Sequence, residues 1–180
     1  ITLLAGSFLA SVCRPSDYWY GVVQHFTAGI IFSAVAVELL PALERTHVLG
    51  LMIAGFCLGV LLMLWMKEVF AHMSIIVPTA VDLFIDGFLV ALGFFIGIKG
   101  GVVLLVGLTF ETFTLGLAVI ALLHKRSMSL RNQGLVLVLF SVAMVVGYLL
   151  GYGLYSLMKN PYFLSFILSF GVAALLYLVT

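Results

Sequence analysis

Seven long apolar runs, separated by short connections that carry most of the charges, constrain this chain more than any other feature. They lie at residues 1–12, 18–40, 48–66, 75–98, 101–123, 130–157 and 161–180. A membrane-spanning helix needs about 20 apolar residues, so the first run is read as part of a span and the others as whole spans. Only 8% of the residues are charged, whereas a soluble domain carries about 25%. A water-facing globular fold is therefore excluded.

The continuity of the runs decides between helices and a barrel. Backbone polar groups inside a bilayer must pair within the protein, so only helices and closed barrels can span it. Barrel strands alternate polar and apolar residues over about ten positions, whereas these runs are apolar throughout. The sequence predicts an all-α fold, a polytopic transmembrane helix bundle that forms a single domain over residues 1–180. Pairs of glycines four residues apart, which let helices approach closely, occur at Gly55 and Gly59, Gly93 and Gly97, and Gly147 and Gly151.

The basic residues of the connections predict the orientation of the bundle. Alternate connections hold Arg14, Lys67, Lys125, Arg126 and Arg131 on one side, and Arg45, Lys99 and Lys159 on the other. Because the richer side of a membrane protein faces the cytoplasm, the Lys125–Arg131 loop is predicted to be cytoplasmic. We expect an integral protein of the cell (inner) membrane of a prokaryote. A net charge of +1 excludes a nucleic-acid partner, because nothing would neutralise a run of phosphates.

Acidic residues within the apolar runs are the strongest functional signal. An acid at the bilayer centre costs about 2.5–3.5 kcal/mol. Asp82 and Asp86 are four residues apart, so both lie on one helix face. Glu111 follows the short turn at 98–101, and counting from that turn places it at the depth of Asp86. The three acids are therefore predicted to converge, and no Lys or Arg lies at that depth in any span.

Without a basic partner, the counter-charge of these acids must be a proton or an imported cation. Carboxylates on facing bundle helices also build metal sites, so we predict Asp82, Asp86 and Glu111 as metal ligands. The cation is then the substrate, and no organic cofactor is expected. In the alternative, the acids are protonated and hydrogen-bonded to threonines. The candidate threonines are Thr79, Thr109, Thr112 and Thr114.

Three further residues are candidates for the ion pathway. Glu38 closes the second run just before Pro41, and His25 lies near the other end of that run. Each has a plain alternative, since Glu38 suits an interfacial helix end and His25 suits a packed or interfacial position. The third, Met144, is a candidate only through the family resemblance described next. The two cysteines, Cys13 and Cys57, have no spacing typical of a disulfide framework or a cysteine metal site.

The order of these motifs resembles that of the ZIP (Zrt-, Irt-like) divalent-metal transporters. Residues 24–29 through the Glu38–Pro41 ending resemble the family's second span, where an Ala-Gly segment leads to a His or Glu and then Leu-Leu-Pro. The segment Asp82–Gly87 resembles the fourth-span motif His-Asn-x-Pro-Glu-Gly. Glu111–Gly116 falls where the fifth span has a His-x-x-x-Glu-Gly-like motif, and Phe170–Thr180 resembles the start of the seventh span.

The resemblance implies an eight-helix bundle arranged three, two, three, with both termini outside and an eighth span beyond residue 180. It implies metal ligands at Asp82, Asp86 and Glu111. Departures from the family's motifs imply one metal position instead of two. Leu83 replaces an Asn ligand, Ile85 a Pro, and Leu115 the final acid of the fifth-span motif, while Met144 stands about where the sixth span offers a Glu.

The function predicted from these observations is transmembrane transport of a divalent cation, with Zn, Mn, Fe(II) or Mg as candidates. The all-oxygen ligand set favours Mn, Mg or Fe(II) over Zn. The main alternative is a ZIP-like metal sensor or scaffold without transport, which the missing ligands favour. An intramembrane aspartyl protease is a weaker alternative because the Gly-x-Gly-Asp surround is absent, so no enzyme activity is predicted. The lipid bilayer is the expected partner, and a homodimer is left open.

Overall fold

The computed structural model describes residues 2–3, 5–7, 17–46, 48–70, 76–125 and 128–179. These residues are almost entirely helical and contain no strand, which confirms the predicted all-α bundle. Arg14, Cys13 and Arg126 lie outside the described residues, as do residues 8–12 of the first predicted run. The helices are α1 (Asp17–Ala34), α2 (Leu40–Glu44), α3 (Leu49–Phe70), α4 (Ile76–Ile96), α5 (Ile98–Lys125), α6 (Leu130–Gly153), α7 (Tyr155–Met158) and α8 (Pro161–Val179).

Among the described residues, five helical segments are long and apolar enough to cross a membrane. They are Gly21–Glu44, Leu49–Val69, Ile76–Ile96, Ile98–Ile120 and Arg131–Gly153. A shorter apolar stretch, Pro161–Tyr177, belongs to α8. The predicted run 130–157 is divided at Leu154, where α6 ends and the short α7 begins. By the length and composition of its helices, the chain is an integral membrane protein.

The first long span does not end at residue 40, as the sequence predicted, but continues to Glu44. Residues Val35–Leu39 form a turn of π-helix between α1 and α2, in which the Leu40 N–H donates to the Val35 carbonyl. Pro41 explains this turn, because proline has no N–H and its ring would clash with the carbonyl four residues earlier in an α-helix. Widening the helix by one residue lets the span pass the proline, so Glu38 lies within the helical segment and not at its end.

The turn between α4 and α5 is shorter than predicted. Gly97 alone separates the two helices, and residues 98–101, predicted as the connection, already form the first turn of α5. The Gly97 N–H donates to the Gly93 carbonyl at 3.2 Å, and the Gly101 N–H donates to the Gly97 carbonyl at 2.9 Å. Because the turn is so tight, α5 runs antiparallel to α4 and packs directly on it.

Close helix contacts occur at two of the three predicted glycine pairs. Gly55 and Gly59 bring α3 against α8, where a Cβ at Gly59 would lie 2.8 Å from the Cβ of Ala173. Gly147 and Gly151 bring α6 against α4 in the same way. In the third pair the prediction holds only for Gly93, which faces Leu104, while no other side chain or helix lies within 4 Å of a Cβ built on Gly97.

The apolar interior consists of two clusters. The larger cluster joins α1 through α5, α7 and α8, and it includes Leu39, Leu89, Leu104 and Leu108. The smaller cluster joins Leu3, near the start of the chain, to α4, α5 and α6. Along α4, Leu83 belongs to the smaller cluster, whereas Ile85 and Phe88 belong to the larger one. The middle of α4 is therefore the place where the two clusters meet.

Replacement of Gly55 by Ala should destabilise the α3–α8 pair. A Cβ on Gly55 would meet the Phe166 backbone and lie 3.1 Å from the Cβ of Ser169. Because a backbone contact cannot be relieved by a rotamer change, we expect a loss of about 1–3 kcal/mol and a lower thermal midpoint in detergent. Gly29→Ala is the matched control, since Gly29 lies inside α1 with nothing within 4 Å of its Cβ position. An equal midpoint for the two variants would show that this contact does not stabilise the bundle.

Candidate metal centre

Two of the predicted ligands lie at the midpoints of their helices. Ten residues of α4 precede Asp86 and ten follow it. Thirteen residues of α5 precede Glu111 and fourteen follow it. At 1.5 Å per residue, each carboxylate is about 15–20 Å from either end of its helix, and the hydrocarbon core of a bilayer is about 30 Å thick. The antiparallel pairing of α4 and α5 thus places both acids near the middle of a membrane.

The structure brings Asp82, Asp86 and Glu111 together. One carboxylate oxygen from each residue lies within 4.8 Å of the others. Asp86 is 2% exposed and Glu111 is 7% exposed, while Asp82 is half-buried. We call these three residues the carboxylate cluster. The sequence predicted that these acids converge. Asp82 and Asp86 lie on one face of α4, and Glu111 approaches them from α5, which packs against that face.

Two oxygens of the carboxylate cluster have no hydrogen-bond partner among the described residues. They are Asp86 Oδ2 and Glu111 Oε2, and both are buried. A buried polar atom without a partner costs about 1–3 kcal/mol, and more when it is charged. Native proteins keep few such atoms, so each one calls for an explanation. Two on facing side chains of one cluster indicate a site built for a bound cation or shared protons.

Two of the four threonines proposed as hydrogen-bond partners of the protonated acids donate to backbone carbonyls. Thr112 Oγ1 donates to the Leu108 carbonyl at 2.6 Å, and Thr114 Oγ1 donates to the Glu111 carbonyl at 2.7 Å. A hydroxyl has a single proton to donate, so neither threonine donates to a carboxylate in this arrangement. The oxygens of Thr112 and Thr114 can still accept a hydrogen bond from a protonated carboxyl group, so the alternative in which threonines partner the acids stays open.

Basic residues are far from the carboxylate cluster in the part of the chain that the structure describes. Each Lys or Arg in the described helices lies within four residues of a helix end. They are Lys67, Lys99, Lys125 and Arg131. The cluster thus groups three acids with no cationic side chain at its level, which is the electrostatic arrangement that attracts a multivalent cation.

Glu38 lies away from the carboxylate cluster, beside the first turn of α5. Its Oε2 lies 3.4 Å from the position that a Cβ on Gly100 would take. Gly100 precedes Glu111 by eleven residues, so Glu38 is about 16 Å along the bundle from the cluster. It is half-buried. This position near one end of the bundle agrees with either of its predicted roles, an interfacial acid or a pathway residue.

His25 and Met144 also lie outside the cluster. The His25 side chain is exposed, and its Nδ1 is 2.8 Å from the Gly21 carbonyl oxygen, four residues earlier in α1. Met144 is half-buried and packs against the smaller apolar cluster, to which Leu83 also belongs. Leu83 is fully buried in that cluster, so the position that would offer a further ligand in the ZIP motif contributes only apolar packing.

Two features of the structure were not predicted from the sequence. Gly87 follows Asp86 and packs against the backbone of Met144 and Tyr148 on α6. The sequence contains a signal for this contact, because Gly87 on α4 can be matched with the glycines of α6. Using that signal, however, requires knowing that α4 and α6 pair. Ser165 is fully buried on α8, and among the described residues its Oγ has no partner.

Compared with protein families, with curated proteins and with solved structures, the chain matches none of them.

Proposed function

We propose that this protein moves a divalent metal cation across a membrane, and that the carboxylate cluster binds the cation midway. The observation that carries the proposal is a pair of buried oxygens, on Asp86 and Glu111 of a three-carboxylate group, that have no partner in the described part of the chain. A bound cation would give both oxygens a partner. The ZIP-like order of the motifs described above supports the same function, with Asp82, Asp86 and Glu111 as the ligands.

The chemistry of the ligand set favours hard divalent ions. All three side chains offer only oxygen, and oxygen ligands suit Mg²⁺, Ca²⁺ and Mn²⁺, whereas Zn²⁺ sites more often use nitrogen or sulfur. Asp82 is the least buried of the three, so it is the ligand that an incoming ion would meet first. Protons that leave the carboxylates as the metal enters would link transport to pH.

Calorimetry with Mn²⁺ on the purified chain in detergent tests the binding step. We expect one Mn²⁺ per chain and a loss of affinity of at least about tenfold in Glu111→Gln, because the variant removes a charged ligand. Glu44→Gln is the matched control, since Glu44 is an exposed acid at the end of α2. Equal Mn²⁺ affinity in the wild type and in Glu111→Gln would contradict the assignment of the site.

Transport itself is tested by Mn²⁺ entry into liposomes that contain the wild-type chain, followed with an entrapped fluorescent indicator. Entry above that of protein-free liposomes is the expected result. Stoichiometric binding in the calorimeter without any entry would instead identify a metal sensor or scaffold, which is the alternative function that the missing ZIP ligands favour.

A further inference from the structure

The side of α4 that faces α6 packs closely against the α6 backbone. A Cβ on Gly87 would lie 2.9 Å from the carbonyl carbon of Met144 and 3.0 Å from the nitrogen of Tyr148. A Cβ on Gly147 would lie 2.9 Å from the carbonyl carbon of Phe84. These neighbours are backbone atoms, so no side-chain rotation could make room. We call this surface the glycine contact.

The glycine contact continues for a further turn of both helices. A Cβ on Gly151 would lie 2.7 Å from the Cβ of Ala91 and 3.1 Å from the carbonyl oxygen of Phe88. The Ala91 methyl group is thus the side-chain atom of α4 nearest to the position that a Cβ on Gly151 would take. We treat this methyl group as a spacer between the two helices, one turn beyond Gly87, which has no side chain.

The acids of α4 lie on the opposite side of the helix from this contact. With 3.6 residues per turn, each residue is rotated by about 100° from the one before it. The residues of α4 at the contact are Phe84, Gly87, Phe88 and Ala91. On a helical wheel their mean direction is about 170° from the mean direction of Asp82 and Asp86. An atom added at the contact pushes the two helices apart, and whatever part of this displacement α4 takes up is directed towards its acidic face, where Glu111 completes the carboxylate cluster.

We propose that the glycine contact sets the width of the carboxylate cluster and thereby selects the cation by its radius. This inference rests on the proposed function, and it identifies Gly87 and Gly147 as specificity-determining positions that do not touch the ion. Oxygen ligands lie about 2.0–2.1 Å from Mg²⁺ and about 2.3–2.6 Å from Ca²⁺. A displacement of a few tenths of an ångström thus separates the two ions. The Gly87–Gly147 contact holds α4 back from Glu111 and keeps the cluster open to the larger ion.

The test measures the dissociation constants of Mg²⁺ and Ca²⁺ by competition against Mn²⁺ on the purified chain in detergent. The quantity of interest is the ratio of the Ca²⁺ constant to the Mg²⁺ constant. In Gly87→Ala and in Gly147→Ala we expect this ratio to rise by about tenfold, since selectivity between these ions depends on cavity size. Gly59→Ala adds a similar clash in the α3–α8 pair. It should lower the thermal midpoint without changing the ratio.

Ala91→Gly tests the same idea in the opposite direction and adds no clash. Removal of the spacer methyl lets α4 settle closer to α6, so the ratio should fall. This variant remains informative if the two alanine variants do not fold.

Unchanged ratios in all of the folded variants at 87, 147 and 91, with Mn²⁺ binding intact, would overturn this inference and leave the proposed function standing. A wild-type chain that binds none of the three cations would overturn both. A ratio that shifts equally in Gly59→Ala would also overturn the inference, because the effect would then follow from loss of stability alone.

Discussion

Asp86→Ala is expected to abolish Mn²⁺ entry into liposomes, with a decrease of at least about 100-fold relative to the wild type. Asp86 is the midpoint of α4, is 2% exposed, and has a carboxylate oxygen with no partner among the described residues. Its removal takes away one of the three charged oxygen ligands and leaves only Asp82 and Glu111 to replace the water around a cation. Entry is measured with an entrapped fluorescent indicator at several Mn²⁺ concentrations, so that lost affinity and lost turnover are distinguished.

The matched control for this variant is Glu44→Ala, which removes an exposed acid at the end of α2 and should leave Mn²⁺ entry unchanged. Both variants should be compared at equal amounts of inserted protein. Unchanged entry with Asp86→Ala would show that the ions, if they cross, do not pass through the carboxylate cluster.

Glu111→Leu should make the metal-free protein more stable than the wild type. Glu111 is 7% exposed, and its Oε2 lacks a partner among the described residues. A buried polar atom without a partner costs about 1–3 kcal/mol, and an apolar side chain of similar size removes this cost along with the repulsion between neighbouring acids. In a detergent buffer that contains a chelator, we expect Glu111→Leu to have a higher thermal midpoint than the wild type. A lower midpoint would show that the substitution destabilises the metal-free protein.

Added Mn²⁺ should reverse the order of stability. An ion that binds only the folded wild type stabilises it by about 2.7 kcal/mol at a concentration 100 times its dissociation constant. Glu111→Leu has lost a ligand and should gain little from the same addition. Glu44→Leu is the control, and its midpoint should respond to Mn²⁺ as the wild type does. If Glu111→Leu is less stable than the wild type without metal, the carboxylate already has a stabilising partner and the cluster is a structural feature.

The convergence of the acids could be predicted from the sequence because it depends on short-range geometry. Asp82 and Asp86 share a helix face by their spacing alone. Any tight turn between two apolar helices makes them antiparallel neighbours, so the depth of Glu111 follows from counting residues. An error in the turn, which is Gly97 and not residues 98–101, shifted the count by only a few residues. The convergence therefore did not depend on the exact boundary.

The end of the first long span at Glu44 could not be predicted in the same way. Proline near an apolar helix usually marks a boundary, but here one π-turn at Val35–Leu39 allows the helix to continue to Glu44. Whether a helix breaks or widens at a proline depends on what its two halves pack against. Val35 and Leu39 are both buried in the larger apolar cluster, and this packing is a tertiary property.

The sequence alone determined that the chain spans a membrane as helices and that three acids lie at one depth, because apolar length and helical spacing are local quantities. Only the tertiary structure decided that α6 packs on α4 through Gly87 and Gly147 and that Thr112 and Thr114 donate to their own helix. It also decided that Asp86 and Glu111 each keep an oxygen with no partner among the residues that the structure describes. The physical reason is that helix pairing in a membrane depends on close contact between small residues. Several pairings satisfy the same apolar pattern, so the contacts around each carboxylate exist only after one of them has formed.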